Sequence, residues 1–158
     1  MTPTRPLARR TVLGVGLITP PLVLAACAEP ATSRQRAADQ PVLLETWASE
    51  LALIAAYEQA IAIRPDLTTT LASIAEQHRE HAQAVARDIT ARSPSAAPVP
   101  SVSAAPADLV AALRDQERAA AAARAAAAVR ASGGPLAALL SLIGASEAQH
   151  VAELGGIG

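Results

Sequence analysis

An all-α fold, four helices in two antiparallel hairpins, is predicted from three observations. Apolar residues recur at alternating spacings of three and four along four separate segments, the period of one helix face. Turns bearing proline or glycine separate the segments within each hairpin, and a long Pro/Ser/Ala stretch separates the hairpins. The composition is 51% hydrophobic but only 1% aromatic, with one Trp, one Tyr and no Phe among 158 residues. A core that alanine-rich must come from closely packed helices rather than from large interlocking side chains.

The N-terminus stands apart from this pattern. MTPTRPLARR is a positively charged leader, and TVLGVGLITPPLVLAA is an apolar run broken by Pro20 and Pro21, too short to span a bilayer. Leu24-Ala25-Ala26-Cys27 resembles a bacterial lipobox, in which small residues admit the signal peptidase and the thiol accepts diacylglycerol. Residues 1–26 are then a lipoprotein signal peptide and Cys27 the lipidation site. An ordinary secretory signal with a chance cysteine is the plainer alternative, but Cys27 is the sole cysteine and directly follows the apolar run. It also has no partner for a disulfide. Arg9-Arg10 partly matches a twin-arginine export signal, and the choice between the Sec and twin-arginine routes stays open.

Acylated Cys27 would hold the protein on the outer face of the cytoplasmic membrane. Residues 27–40 are read as the lipidated cysteine and a flexible tether reaching roughly 20 Å. Cleavage removes Arg5, Arg9 and Arg10 and no acid, so the mature chain keeps 10 of the 13 basic residues against all 14 acids. Every basic residue is arginine, and no basic block or aromatic-basic interleave exists, which argues against nucleic-acid binding. The membrane is the expected contact, with a protein partner or a homodimer left open.

The helical domain is expected over residues 41–155. Leu43, Trp47, Glu50, Ile54, Tyr57 and Ile61 define the first stripe. Arg64-Pro65-Asp66 stops it, because proline disfavours helix at the residue before it and aspartate can cap the next start. Leu67, Leu71, Ile74, His78, His81, Val85 and Ile89 carry the second stripe. Residues 92–107 form the linker, long enough when extended to reach roughly 45–50 Å. A helix of 24 residues measures about 36 Å, so this linker can cross the whole domain; a short connection with slack is the alternative. The third helix runs from about Asp108 to Ala131, with Val110, Leu113, Glu117, Ala120, Arg124 and Ala127 on one face. Ser132-Gly133-Gly134-Pro135 ends it and starts the fourth, where Leu136, Leu140, Ile143, Glu147, His150 and Leu154 recur.

Six ionisable residues interrupt these apolar stripes: Glu50, His78, His81, Glu117, Glu147 and His150. Counting outward from each turn at 1.5 Å per residue places the three in each hairpin within about one helical turn of height. The hairpins mirror each other, with one carboxylate on the first helix and an i, i+3 pair on the second, a spacing that shares one face. Burying such groups without partners is costly. A metal ion, a carboxylate–imidazole network or water must compensate.

The layout resembles ferritin-like proteins, in which helices one and three each give a Glu and helices two and four give Glu-x-x-His. More narrowly, ETWASELALIAAYEQAI, EQHREHAQAV and GASEAQHVAEL after a lipobox are similar to uncharacterised ferritin-like lipoproteins of actinobacteria. That resemblance implies a metal site at the six residues. The second helix departs from it: His78-x-x-His81 replaces Glu-x-x-His, so one bridging carboxylate is missing and a di-iron oxidase or ferroxidase is in doubt. One Zn²⁺, Fe²⁺, Mn²⁺ or Cu²⁺ suits three acids and three imidazoles better. Arg114 and Arg124 lie near the Glu117 stripe, and an inward arginine could take the place of a metal. The alternative is therefore a metal-free helical envelope module that binds a protein partner.

HREH is not a zinc-protease signature, because its histidines are at i, i+3 rather than i, i+4. Glu80 then points outward, and Glu76, Arg79 and Arg87 belong to the charged outer face. Trp47 and Tyr57 read as core residues with bonded polar tips, Tyr57 also as a neighbour of the site. No phosphate loop or nucleophile elbow appears.

Overall fold

The computed structural model describes residues 32–90 and 108–157. The signal peptide, Cys27 and the linker expected over residues 92–107 lie outside the described residues. Within them the protein is all-helical: α1 (Ser33–Ile63), α2 (Thr68–Ala86), α3 (Leu109–Arg130) and α4 (Gly134–Gly155), with a short 3₁₀ turn at Pro65–Leu67. No strand occurs among the described residues, and none of their helices is long and apolar enough to cross a membrane.

α1 begins at Ser33 rather than at Pro41, so residues 33–40, expected in the tether, are helical. The reason is local. Thr32 Oγ1 accepts the Gln35 N–H while Gln35 Oε1 accepts the Thr32 N–H, a reciprocal capping box. Pro41 sits inside the helix, where only one main-chain donor is lost.

Four hydrogen bonds set the directions of the helices. Gln35 Nε2 donates to the Ser132 carbonyl at 3.3 Å, and the Ser132 N–H donates to Asp39 Oδ1 at 2.7 Å. Gln40 Nε2 donates to the Asp88 carbonyl at 2.9 Å, and the Thr90 N–H returns to Gln40 Oε1 at 2.8 Å. The start of α1, the end of α2 and the α3–α4 turn therefore share one end. α1 and α4 run one way and α2 and α3 the other, so the described chain stops at Thr90 at one end and resumes at Asp108 at the opposite end.

The apolar core is in two parts. One holds Ala56, Tyr57, Leu71, Ile74, Leu113 and Leu154. The other, nearer the start of α1, holds Leu43, Val85, Ala127, Leu136, Leu140 and Ile143. Each helix crosses from one part to the other, and the ionisable residues fall in the crossing.

Leu113 is fully buried, whereas Val129 is 87% exposed. Leu113→Ala is expected to lower unfolding free energy by about 2–5 kcal/mol, and Val129→Ala by no more than about 0.5 kcal/mol. Chemical denaturation of the two variants beside the parent measures the difference.

Candidate metal centre in a buried polar layer

Helical periodicity aims these side chains inward. Glu50 lies between Leu43 and Tyr57 on α1, His78 between Ile74 and Val85 on α2, and Glu117 between Leu113 and Ala127 on α3. Glu147 and His150 lie between Ile143 and Leu154 on α4. All five are fully buried, and Arg124 on the Glu117 stripe is 2% exposed.

His78 is the hub. Its Nδ1 lies 2.8 Å from Glu50 Oε2 and its Nε2 lies 2.8 Å from Glu117 Oε1. Two ionised carboxylates offer no proton, so both ring nitrogens donate and the ring is an imidazolium. Burial opposes that charge, but the bonds to Glu117 and Glu50 and their charges outweigh it and raise His78 to about 9.

Glu117 accepts three bonds: from Tyr57 OH at 2.5 Å, from His78, and from His150 Nδ1 at 3.3 Å on its other oxygen. Burial would raise this carboxyl, yet the bonds from His150 and His78, with the His78 charge, hold it at about 2. Burial and the adjacent Glu117 push the Tyr57 phenol upward, which keeps it a donor. His150 Nε2 lies 3.2 Å from Gln77 Oε1, which also accepts the Ser146 hydroxyl at 3.3 Å.

Glu50 is shared differently. Its Oε1 accepts Arg124 Nη2 at 2.8 Å and Nε at 3.2 Å, and Arg124 Nη2 also donates to Ser49 Oγ. Burial again raises the carboxyl, but the bond from His78, the nearby His81 ring and the charges of Arg124 and His78 bring it to about 2. His81 Nδ1 is 3.7 Å from Glu50 Oε2, too far for a hydrogen bond, and this buried nitrogen has no partner. The His81 side chain is 17% exposed.

Glu147 has no hydrogen bond to either oxygen, although Oε1 is 3.3 Å from Arg124 Nε. Burial, reinforced by the like charges of Glu50 and Glu117, outweighs the pull of Arg124 and His78 and raises it to about 8.

The structure thus brings Glu50, His78, Glu117 and His150 into one bonded chain. It leaves His81 at the edge and sets Glu147 against Arg124. Arg124, not Arg114, is the inward arginine. Gly144 lets it in: a Cβ there would lie 3.0 Å from Arg124 Cβ. Gln77 and Ser146 were not singled out from the sequence. Their only signals were adjacency to His78 and the four-residue step to His150. Two sets of donors lie within reach of a single ion, Glu50–His78–His81 and His78–Glu117–His150, and they share His78 through opposite nitrogens. No known protein family, curated protein or solved structure matches the chain.

The shifts oppose one another across pH. Glu50 and Glu117 sit below the ordinary 4.5, so their contribution to stability is complete above 4.5 and is lost as pH falls through about 2. Glu147 and His78 sit above their ordinary 4.5 and 6.5. Their contribution is complete below those values and is lost as pH rises through about 8 and about 9. Chelator-treated protein is expected to be most stable near about pH 5 and to lose melting temperature toward pH 9. Glu147→Gln should flatten the decline between pH 5 and 8 and leave the later part, which belongs to His78. An unchanged profile in thermal melts of this variant would contradict the assignment.

Proposed function

We propose that this chain is an exported, lipid-anchored four-helix bundle of ferritin-like type that holds one divalent transition-metal ion on Glu50, His78 and His81. The observation that carries the metal is the unpartnered His81 Nδ1 beside a carboxylate and a second imidazole. A buried polar atom without a partner calls for an explanation, and an ion supplies one. Ligand atoms about 2.0–2.1 Å from an ion lie roughly 2.9–3.4 Å apart. Glu50 Oε2 is 2.8 Å from His78 Nδ1 and 3.7 Å from His81 Nδ1, just below and just above that range, so small shifts of the two rings would bring the set to ligand spacing.

The second donor set supports this choice by being complete without an ion. Every donor atom of Glu117 and His150, and Nε2 of His78, already has a hydrogen bond. Glu117 is then the carboxylate behind a ligating imidazole: it accepts the Nε2–H and fixes the ring so that Nδ1 faces the ion. Tyr57 and His150 hold Glu117 in turn. An ion here would act as a Lewis acid toward whatever reaches it past the partly exposed His81. The helix directions, with chain ends that demand a long crossover, favour the ferritin-like comparison, and the lipobox favours the anchor.

A metal-free reading rests on Arg124. With the guanidinium on Glu50 and an imidazolium between Glu50 and Glu117, the charges already balance, and the layer would serve as a structural core of a partner-binding envelope module.

Elemental analysis of the purified full chain separates the two. Close to one equivalent of metal is expected, lost in His78→Ala and His81→Ala and unchanged in Glu80→Ala, whose side chain is exposed. His150→Ala should keep the metal with affinity weakened about 10–100-fold. Parent protein that takes up no metal on titration would leave the metal-free network.

A further inference from the structure

The end of the protein nearest Cys27 carries a surface that the polar layer does not use. Thr32 caps α1 and Cys27 lies five residues earlier, so extended chain between them spans at most about 18 Å. If Cys27 bears lipid, as the proposed function holds, this end of the helices stays close to the bilayer.

The end is built rather than frayed. The bonds from Gln35 and Asp39 to Ser132, and from Gln40 to Asp88 and Thr90, tie the start of α1 to the end of α2 and to the α3–α4 turn. On it, Arg34, Arg36 and Arg87 are exposed and make no side-chain hydrogen bond or ion pair among the described residues. The acids do not balance them. Asp39 is buried and accepts the Ser132 N–H, Glu45 is paired with Arg130 at 2.9 Å, and Asp88 alone stays exposed without a side-chain bond.

The opposite end has the other sign. Arg64 there is paired with Asp66 at 2.7 Å, while Asp108 and Glu153 are exposed and make no side-chain hydrogen bond or ion pair among the described residues, against one unpaired cation, Arg114. The molecule is therefore basic at the anchored pole and acidic at the far pole. A cavity of about 240 Å³ in the basic end is lined by Arg36 and the apolar Leu43, Pro135 and Leu136, and also by the carboxylates Asp39 and Asp88. Arg36 stands at its exposed edge beside apolar surface, where a long cationic side chain can reach a membrane interface.

We propose that Arg34, Arg36 and Arg87 dock this end of the protein onto the anionic lipid surface that holds the Cys27 acyl chains. Docking stands the helices upright on the membrane and sets Glu50 roughly 25 Å above the docked end, from 1.5 Å of rise per residue. Arginines near an anionic surface act within a Debye length of about 8 Å at physiological salt, a range that a short tether keeps them inside.

The test uses the full acylated chain in vesicles of phosphatidylcholine, with and without phosphatidylglycerol. Acylated Cys27 offers no thiol, so Ser132→Cys at the basic end and Thr69→Cys at the far end each give a unique labelling position. A headgroup-bound quencher is expected to quench the label at 132 and spare the label at 69, only when phosphatidylglycerol is present, and to lose effect at high salt. Changing Arg34, Arg36 and Arg87 to Gln should weaken docking about fivefold per residue. Equal quenching at both positions, or a triple variant that docks like its parent, would overturn the docking while leaving the anchor intact. A mass spectrum with Cys27 unacylated would instead overturn the anchor, and this proposal with it. Quenching independent of phosphatidylglycerol, or dimerisation through this end, would assign the arginines to another occupant and also overturn the proposal.

Discussion

One imidazole between two carboxylates organises this protein. His78 reaches Glu50 on α1 with one nitrogen and Glu117 on α3 with the other, both at 2.8 Å. A planar ring with two opposed donors has little freedom to satisfy both, so the rotation of α2 is set relative to α1 and α3. Everything else in the layer follows from that placement. Glu117 spends its remaining capacity on Tyr57 and His150, which brings in α4, and Glu50 turns its second oxygen to Arg124. Removing the ring would leave two buried carboxylates short of a partner, and losing one member of such a set usually costs more than the set contributes.

Small residues make the layer geometrically possible. Helices that meet through alanine can approach closely, and long polar side chains from opposite helices then reach one another across the axis. Gly144 is the sharpest case, because even a methyl group there would crowd the Arg124 stem against α3. The polar layer separates the two apolar clusters, so the hydrophobic drive acts on either side of it. Those clusters hold the helices together. The layer sets which faces meet and at what height.

Much of this was legible in the residue spacing. The three-four alternation marks the buried faces of all four helices, and counting from Pro65 and Gly133 brings Glu50, His78, Glu117, Glu147 and His150 to one level. Counting cannot assign partners. His81 and His78 share a stripe at i, i+3, yet only His78 reaches the centre, whereas on α4 both members of the same spacing, Glu147 and His150, are fully buried. Packing against the neighbouring helices decides between the two outcomes. Arg124 was visible as a polar break in an alanine face, but only packing decides whether such a chain turns inward or snorkels out. The helical start at Ser33 departs from the helix expected from residue 41, because the apolar three-four stripe becomes regular only after Pro41. The capping box of Thr32 and Gln35 was present in the sequence and overrides that reading.

The metal-bound and metal-free readings share nearly all of this architecture and differ at one point, the Nδ1 side of His78. On the Nε2 side, Glu117 is fixed by three donors and has nothing to exchange. On the Nδ1 side, Glu50 Oε2 faces two imidazole nitrogens, one bonded and one unpartnered. A proton there gives the imidazolium that bridges two acids. A cation there would displace that proton and take up the stranded His81 nitrogen. Arg124 allows either state, because it neutralises Glu50 through the opposite oxygen and leaves Oε2 in place. Proton and metal then compete for one position, since an imidazole must be deprotonated at the nitrogen that binds an ion. The same bonds that raise His78 to about 9 oppose the loss of its proton. Any ion that binds here must exceed that preference, which favours cations with high affinity for nitrogen, such as Zn²⁺ and Cu²⁺, over Mn²⁺.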